Sequence, residues 1–152
     1  MPLVYIGLGS NLGDREATIR RALELLAADG AIEVEAMSSL RETEPVGYVD
    51  QPRFLNGAAA LRTELAPRAV LERLQAVEAA LGRDRTGRRF GPRTIDLDLL
   101  LYDGVQVNEP GLEIPHPRLV ERRFVLEPLA ELDSTLEVPG RGSVQALLAA
   151  LQ

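Results

Sequence analysis

The order in which two apolar periodicities alternate along the chain constrains its fold more than any other feature. Leu3-Val4-Tyr5-Ile6 opens a buried strand, and Gly7-Leu8-Gly9-Ser10-Asn11-Leu12-Gly13 reads as the tight turn that ends it. Asp14 can cap a helix whose apolar residues, Ile19, Ala22, Leu23 and Leu26, recur at helical spacing before Gly30. Ile32, Val34, Ala36 and Leu40 alternate, which predicts a second strand over 32–40. Residues 41–53, with Pro45, Gly47 and Pro52, read as a loop, and Phe54 to Thr63 as a third strand. Pro67 suits the first turn of a second helix, whose stripe is Val70, Leu71, Leu74, Val77 and Leu81 and whose end is Gly82. After a loop over 82–94, Ile95 to Tyr102 forms a fourth strand. The remainder reads as irregular, with a short final helix from Val144 to Leu151.

Strand, helix, strand, strand, helix, strand is the split βαβ order. The expected fold is therefore α+β: one domain over 1–152 with a ferredoxin-like βαββαβ core. It has a four-stranded antiparallel sheet and a C-terminal extension, in three α/β/α layers. The two interior loops are longer than most connections in compact domains, as plain insertions or binding loops are.

Composition narrows the chemistry. Apolar residues are 45% of the 152, an ordinary globular share, and no apolar run reaches the length of a membrane span. With no cysteine, disulfides, zinc thiolates and cysteine nucleophiles are excluded. All 17 basic residues are arginine, so a P-loop lysine and Schiff-base chemistry are excluded too. A net charge of −6 argues against a general nucleic-acid binder. The expectation is a cytoplasmic monomer without membrane or nucleic-acid partners.

Asp96-Leu97-Asp98 is the strongest local signal. Residues two apart share a strand face, so two carboxylates stand side by side while Ile95, Leu97 and Leu99 face the other way. Such a pair suits a hard divalent cation, although a bare Asp-x-Asp also describes two surface acids. Arg83, Arg85, Arg88, Arg89 and Arg93 precede it, a local anion site or a solvated charge run. Arginines beside metal carboxylates are what phosphoryl transfer requires. Glu78 falls inside the apolar stripe of the second helix, where a carboxylate pairs, binds a ligand or reaches water. Phe54 and Asn56 share a face of the third strand, with Phe124 available for the other side of a stack on a flat heterocycle; taken alone, each reads as a core residue before a ligand contact. His116, the only histidine, sits between Pro115 and Pro117 and either donates to a phosphate or serves only the loop. Gly7-x-Gly9-x-x-x-Gly13 misses the dinucleotide spacing by one residue.

Four segments carry a resemblance: residues 5–13, Gln51-Pro52-Arg53-Phe54-Leu55-Asn56, Phe90-Gly91-Pro92-Arg93-Thr94-Ile95-Asp96-Leu97-Asp98-Leu99, and Ile114-Pro115-His116-Pro117-Arg118. In them the chain resembles the 6-hydroxymethyl-7,8-dihydropterin pyrophosphokinases of folate biosynthesis over nearly its whole length. The resemblance implies diphosphate transfer from ATP to the pterin hydroxymethyl group, with release of AMP. It implies two Mg2+ ions held by Asp96 and Asp98. Phosphate contacts map onto Arg83, Arg93, His116 and Arg122, with Arg85 of the same arginine run in the ATP site, and Glu78 takes the place of a nucleotide-binding glutamate. Phe54 and Phe124 would sandwich the pterin, Asn56 would read it, and Thr43, Pro45 and Val46 lie where loop backbone meets it. Catalytic roles fall to Arg83, Arg93 and Asp98, the last as proton acceptor. Phe54 and Phe90 stand where some members have tyrosine and tryptophan, and Pro117 and Gly111 replace a tyrosine and an arginine. Two further readings are metal-dependent nucleotidyl transfer on a palm-like ferredoxin sheet, which releases diphosphate, and a non-catalytic small-molecule-binding module.

Overall fold

The computed structural model describes residues 1–11, 14–43, 54–82 and 95–151. Strand β1 (Leu3–Ser10) lies between β4 (Phe54–Thr63) and β5 (Ile95–Tyr102), antiparallel to both. β2 (Ile32–Met37) extends the sheet beyond β4, and the short β3 (Arg41–Thr43) pairs with the Phe54 end of β4. The order β2-β4-β1-β5 is the one the split βαβ pattern predicts, with β3 as a fifth strand beside it.

Helices α1 (Arg15–Ala27) and α2 (Pro67–Gly82) cover one face. The Ala17 N–H donates to the Asp14 carboxylate at 3.1 Å, which caps α1 as expected. Strand alternation sends Val4, Ile6 and Leu8 of β1 and Ile95, Leu97 and Leu99 of β5 to this side. They meet Ile19, Ala22, Leu23 and Leu26 of α1 and Val70, Leu74 and Val77 of α2. Each large side chain fully buried here contributes about 1.5–3 kcal/mol over leaving it in water.

The opposite face is covered by α3 (Arg123–Leu132) and α4 (Val144–Ala150), which completes the three layers. Val125, Leu126 and Leu129 of α3 and Val144 of α4 pack with Tyr5, Ala58, Ala60, Leu100 and Leu101. Between β5 and α3 come a hairpin, β6 (Val107–Glu109) and β7 (Leu112–Ile114), and a 3₁₀ turn (Leu119–Glu121). A small hairpin, β8 (Glu137–Val138) and β9 (Gly142–Ser143), precedes α4. Among the described residues no helix is long and apolar enough to cross a membrane.

Four expectations need correction. Gly7 and Gly9 do not make a turn; β1 runs on through Ser10 because a strand on each side pairs with it there. The second strand is shorter than its pattern, since a bulge between Val34 and Ala36 shifts the register, so that Ala36 is exposed and Met37 packs against the core. The chain then leaves the ladder at Ser38, whose N–H donates to Ala58 O and whose Oγ accepts from the Ala58 N–H, both at 2.9 Å. Residues 41–43, read as loop, return as β3. The C-terminal extension is also more regular than its sequence suggested, because α3 carries Pro128 inside it and so reads against a helix.

Gly57 lies against the 38–40 connection. A Cβ there would come 2.6 Å from Leu40 Cδ2, 3.0 Å from Ser38 Oγ and 3.3 Å from Ser39 O. Leu40 can turn aside, but the Ser38 hydroxyl is held by its bonds to Ala58 N and Ser39 O. Gly57→Ala is therefore expected to destabilise the protein by about 1–3 kcal/mol, an overpacking cost. Thermal unfolding checks this, and an unchanged midpoint would mean that the connection yields freely.

Candidate active site

The sheet face under α3 has a bare strip down its centre. On β1, Gly9 stands between Asn56 of β4 and Asp96 of β5, and Gly7 stands between Ala58 and Asp98. With no side chains on β1 at these two rows, the flanking groups look across an open floor. The cavity above it has a volume of about 410 Å³. Phe54, Asn56 and Thr43 wall one side, Asp96 and Asp98 the other, and Phe124, Arg122 and Arg118 close it from α3 and the segment before it.

Its lining is divided chemically. Phe54 and Phe124 offer two ring faces, and the Arg122 guanidinium carbon lies 5.6 Å from the Phe124 ring centre. Asn56 is 8% exposed, and its Oδ1 accepts from the Thr43 hydroxyl at 3.3 Å. This bond sets the amide so that its NH2 is the end left to donate toward a ligand. Asp96 and Asp98, both half-buried, present hard oxygen donors on one face of one strand, a donor set suited to a divalent cation.

A second cavity of about 430 Å³ lies along the outer edge of β5. Its walls are Leu71, Gln75 and Glu78 of α2, Leu97, Asp98 and Leu99 of β5, the β6–β7 hairpin, His116 and Pro117. Glu78 Oε2 accepts the Leu97 N–H at 2.7 Å. That accounts for a carboxylate in an apolar stripe, since it satisfies an edge donor of the sheet. Farther along the same edge the His116 N–H donates to Leu100 O at 3.0 Å. Asp98 belongs to both cavities.

His116 stands beside this junction. Burial holds its pKa below the ordinary imidazole value of 6.5, the nearby Arg122 and Arg118 push the same way, and Asp98 and Glu113 oppose them. Its Nδ1 accepts the Arg118 backbone N–H at 3.2 Å, so the proton of the neutral ring sits on Nε2.

Of the residues expected from sequence, the first cavity brings together Thr43, Phe54, Asn56, Asp96, Asp98, Arg122 and Phe124, and the second holds Glu78, Asp98 and His116. Pro45, Val46, Arg83, Arg85 and Arg93 lie outside the described residues. Sequence reasoning missed Gly7 and Gly9 as a floor; the signal was their spacing of two on a strand. It also missed Arg118, Gln75 and Asn108 as cavity walls.

In the metal-free protein the one imidazole is expected to titrate with a midpoint below 6.5, becoming cationic only as the pH falls through that value. Proton NMR resolves it without assignment, as the chain has one histidine. A midpoint at or above 6.5 would mean that burial and the two arginines do not set the charge of the ring.

The model of a family described as 7,8-dihydro-6-hydroxymethylpterin-pyrophosphokinase (HPPK) matches residues 5–134. The 2-amino-4-hydroxy-6-hydroxymethyldihydropteridine pyrophosphokinase of Bacillus subtilis is 49% identical over 135 residues, 89% of this chain and 80% of that protein. Its namesake from Methylorubrum extorquens is 48% identical over 147 residues, 97% and 92% of the two chains. Among solved structures, a triple mutant of Plasmodium falciparum HPPK-DHPS shares the fold with a TM-score of 0.77 at 14% identity. That match covers 98% of this chain and 44% of the other, so this chain spans less than half of the longer protein. With a family match across both cavities and relatives near half identity over most of its length, the chain belongs to the 7,8-dihydro-6-hydroxymethylpterin-pyrophosphokinase family.

Proposed function

We propose that this chain transfers the diphosphate of ATP to the hydroxymethyl group of 6-hydroxymethyl-7,8-dihydropterin and releases AMP. The observation that carries the reading is that Asp98 walls two cavities of different chemistry. One has rings and an amide for a flat heterocycle; the other has a sheet edge, an acid and an imidazole for a nucleotide. A group passing between two substrates must cross such a shared wall.

In the first cavity Phe54 and Phe124 stack on the pterin, and the Asn56 amide reads its edge. Thr43 keeps that amide oriented. In the second cavity the outer edge of β5 at Leu97 and Leu99 lies beside the nucleotide base. Glu78 supplies acceptors for ribose hydroxyls, and neutral His116 donates from Nε2 to a phosphate oxygen.

Asp96 and Asp98 would hold two Mg2+ ions, which when bound neutralise phosphate charge and lower the pKa of the acceptor alcohol. Asp98 takes the hydroxymethyl proton. Arg122 neutralises charge on the diphosphate in transfer from the first cavity. Arg83, Arg85 and Arg93 carry the remaining phosphate contacts by resemblance, as Pro45 and Val46 carry the loop contacts to the pterin. The described walls of both cavities come from one chain, so a monomer suffices for this reading. Nucleotidyl transfer is not favoured, because the relatives are named pyrophosphokinases.

The test is to incubate the protein with ATP, magnesium and the pterin alcohol and to identify the nucleotide released. AMP formed only with the pterin present is expected; ADP would mean single phosphoryl transfer and overturn the reading. A second test concerns the floor. A Cβ at Gly9 would meet Asn56 and Phe54 at 3.8 Å, ordinary contact, so Gly9→Ala folds but fills the space where the ring lies. We expect an unchanged thermal midpoint, a KM for the pterin raised about 10-fold or more, the scale of about 1.4 kcal/mol, and an unchanged KM for ATP. Equal loss for both substrates would place the ring elsewhere.

A further inference from the structure

We infer that Arg118 is a product-binding residue, which grips the transferred diphosphate once it has become part of the pterin product. The inference rests on the function proposed above and extends it to a residue outside the set assigned there.

Arg118 lines the first cavity and is absent from the described walls of the second, so it faces the acceptor side of Asp98. Its backbone N–H is committed to His116 Nδ1, which fixes its Cα beside the shared wall. Its guanidinium, by contrast, has no hydrogen bond or ion pair among the described residues. Together with Arg122, its charge acts on His116, so both guanidinium groups stand within electrostatic reach of the junction. Arg122 is drawn toward the Phe124 ring, which leaves Arg118 as the less committed cation of this cavity.

The charge balance of the cavity explains what such a cation is for. In the transfer, the alcohol oxygen bonds to the β-phosphorus of ATP. The bond from that phosphorus to the α–β bridging oxygen breaks, and this oxygen leaves with AMP. The acceptor enters as a neutral alcohol and needs no arginine. It ends as a diphosphate ester, which carries several negative charges near neutral pH. Glu121 lines the same cavity and repels such an ester; Arg118 and Arg122 attract it. A guanidinium presents paired donors that match two phosphate oxygens, so its interaction appears with the product and not with the alcohol.

The experiment measures direct binding of the pterin alcohol, the pterin diphosphate and a non-hydrolysable ATP analogue to wild type, Arg118→Gln and Arg118→Lys by titration calorimetry. Substituting the side chain spares the backbone bond to His116. For Arg118→Gln we expect the diphosphate to bind about 10-fold or more weaker, the scale of a lost hydrogen bond to a charged group. Alcohol and ATP-analogue affinities should stay within about two-fold of wild type, which also reports an intact fold. Arg118→Lys, which keeps the charge without the fork, should recover part of the loss. Unchanged diphosphate affinity in Arg118→Gln, or an equal weakening of alcohol and diphosphate, overturns the inference. Failure of the wild type to bind either pterin or to form AMP overturns the proposed function instead, so the two failures are distinct.

Discussion

On β1 the residues directed toward α3 are Tyr5, Gly7 and Gly9, and the last two leave the sheet bare between Asn56 and Ala58 on one side and Asp96 and Asp98 on the other. The site depends on this. Central strands normally fill both faces, because an uncovered patch of backbone gains nothing from packing. Here both glycines sit where a Cβ would meet only ordinary contacts, so neither backbone geometry nor crowding demands them. Their effect is on the space above: side chains at these two rows would close the gap between Asn56 and the aspartates. Tyr5, one step along, does fill its row, and there the sheet is core against Leu126 and Leu129 rather than cavity.

β5 serves the site in three directions at once. Ile95, Leu97 and Leu99 anchor it in the α1/α2 core, so the strand is held by apolar burial on one face. The pleat then turns Asp96 and Asp98 to the other face without any stabilising partner needing to be built for the backbone itself. Its outer edge is an end of the sheet, and unpaired edge groups need partners. Glu78 takes the Leu97 N–H and the His116 N–H takes Leu100 O, both from residues that line the second cavity. The two cavities therefore meet at a strand that is rigid for reasons unrelated to either ligand, and Asp98 inherits that rigidity.

Residues at strong periodicity were legible in the sequence. The α1 and α2 stripes, the β4 and β5 spans and the common face of Asp96 and Asp98 follow from spacing alone, because helix and strand periods leave little choice there. What was not legible depended on distant partners. Glycines in Gly7-x-Gly9 read as a turn until two neighbouring strands supply a ladder. Ala36 reads as inward until the bulge before it moves Met37 into its place. The break at Ser38 depends on hydrogen bonds to Ala58, twenty residues on. Glu78 looked anomalous for the same reason: its partner is a backbone donor on a strand that adjoins α2 only in the folded chain. Of the candidate site, chemistry and resemblance named several of the cavity walls; that these divide into two cavities with one shared carboxylate required the fold.

Paired aspartates on a ferredoxin-like sheet do not by themselves select a reaction. What selects it here is the layer the βαββαβ core lacks. In a bare core the carboxylate face would be open to solvent and wide enough for a polymer. The C-terminal extension closes it: α3 lies on Ala58 and Ala60, small enough to let the helix approach, and its first turn sets Phe124 over the same cavity that Phe54 lines from the sheet. Val125, beside Phe124, is at once part of the α3 core and of the cavity wall. The burial that holds α3 down is thus continuous with the surface that would press on a ring. Under the function proposed above, such a face suits a single flat heterocycle. The extension, which looked least regular in the sequence, is therefore the part that turns an open sheet face bearing two carboxylates into a walled cavity.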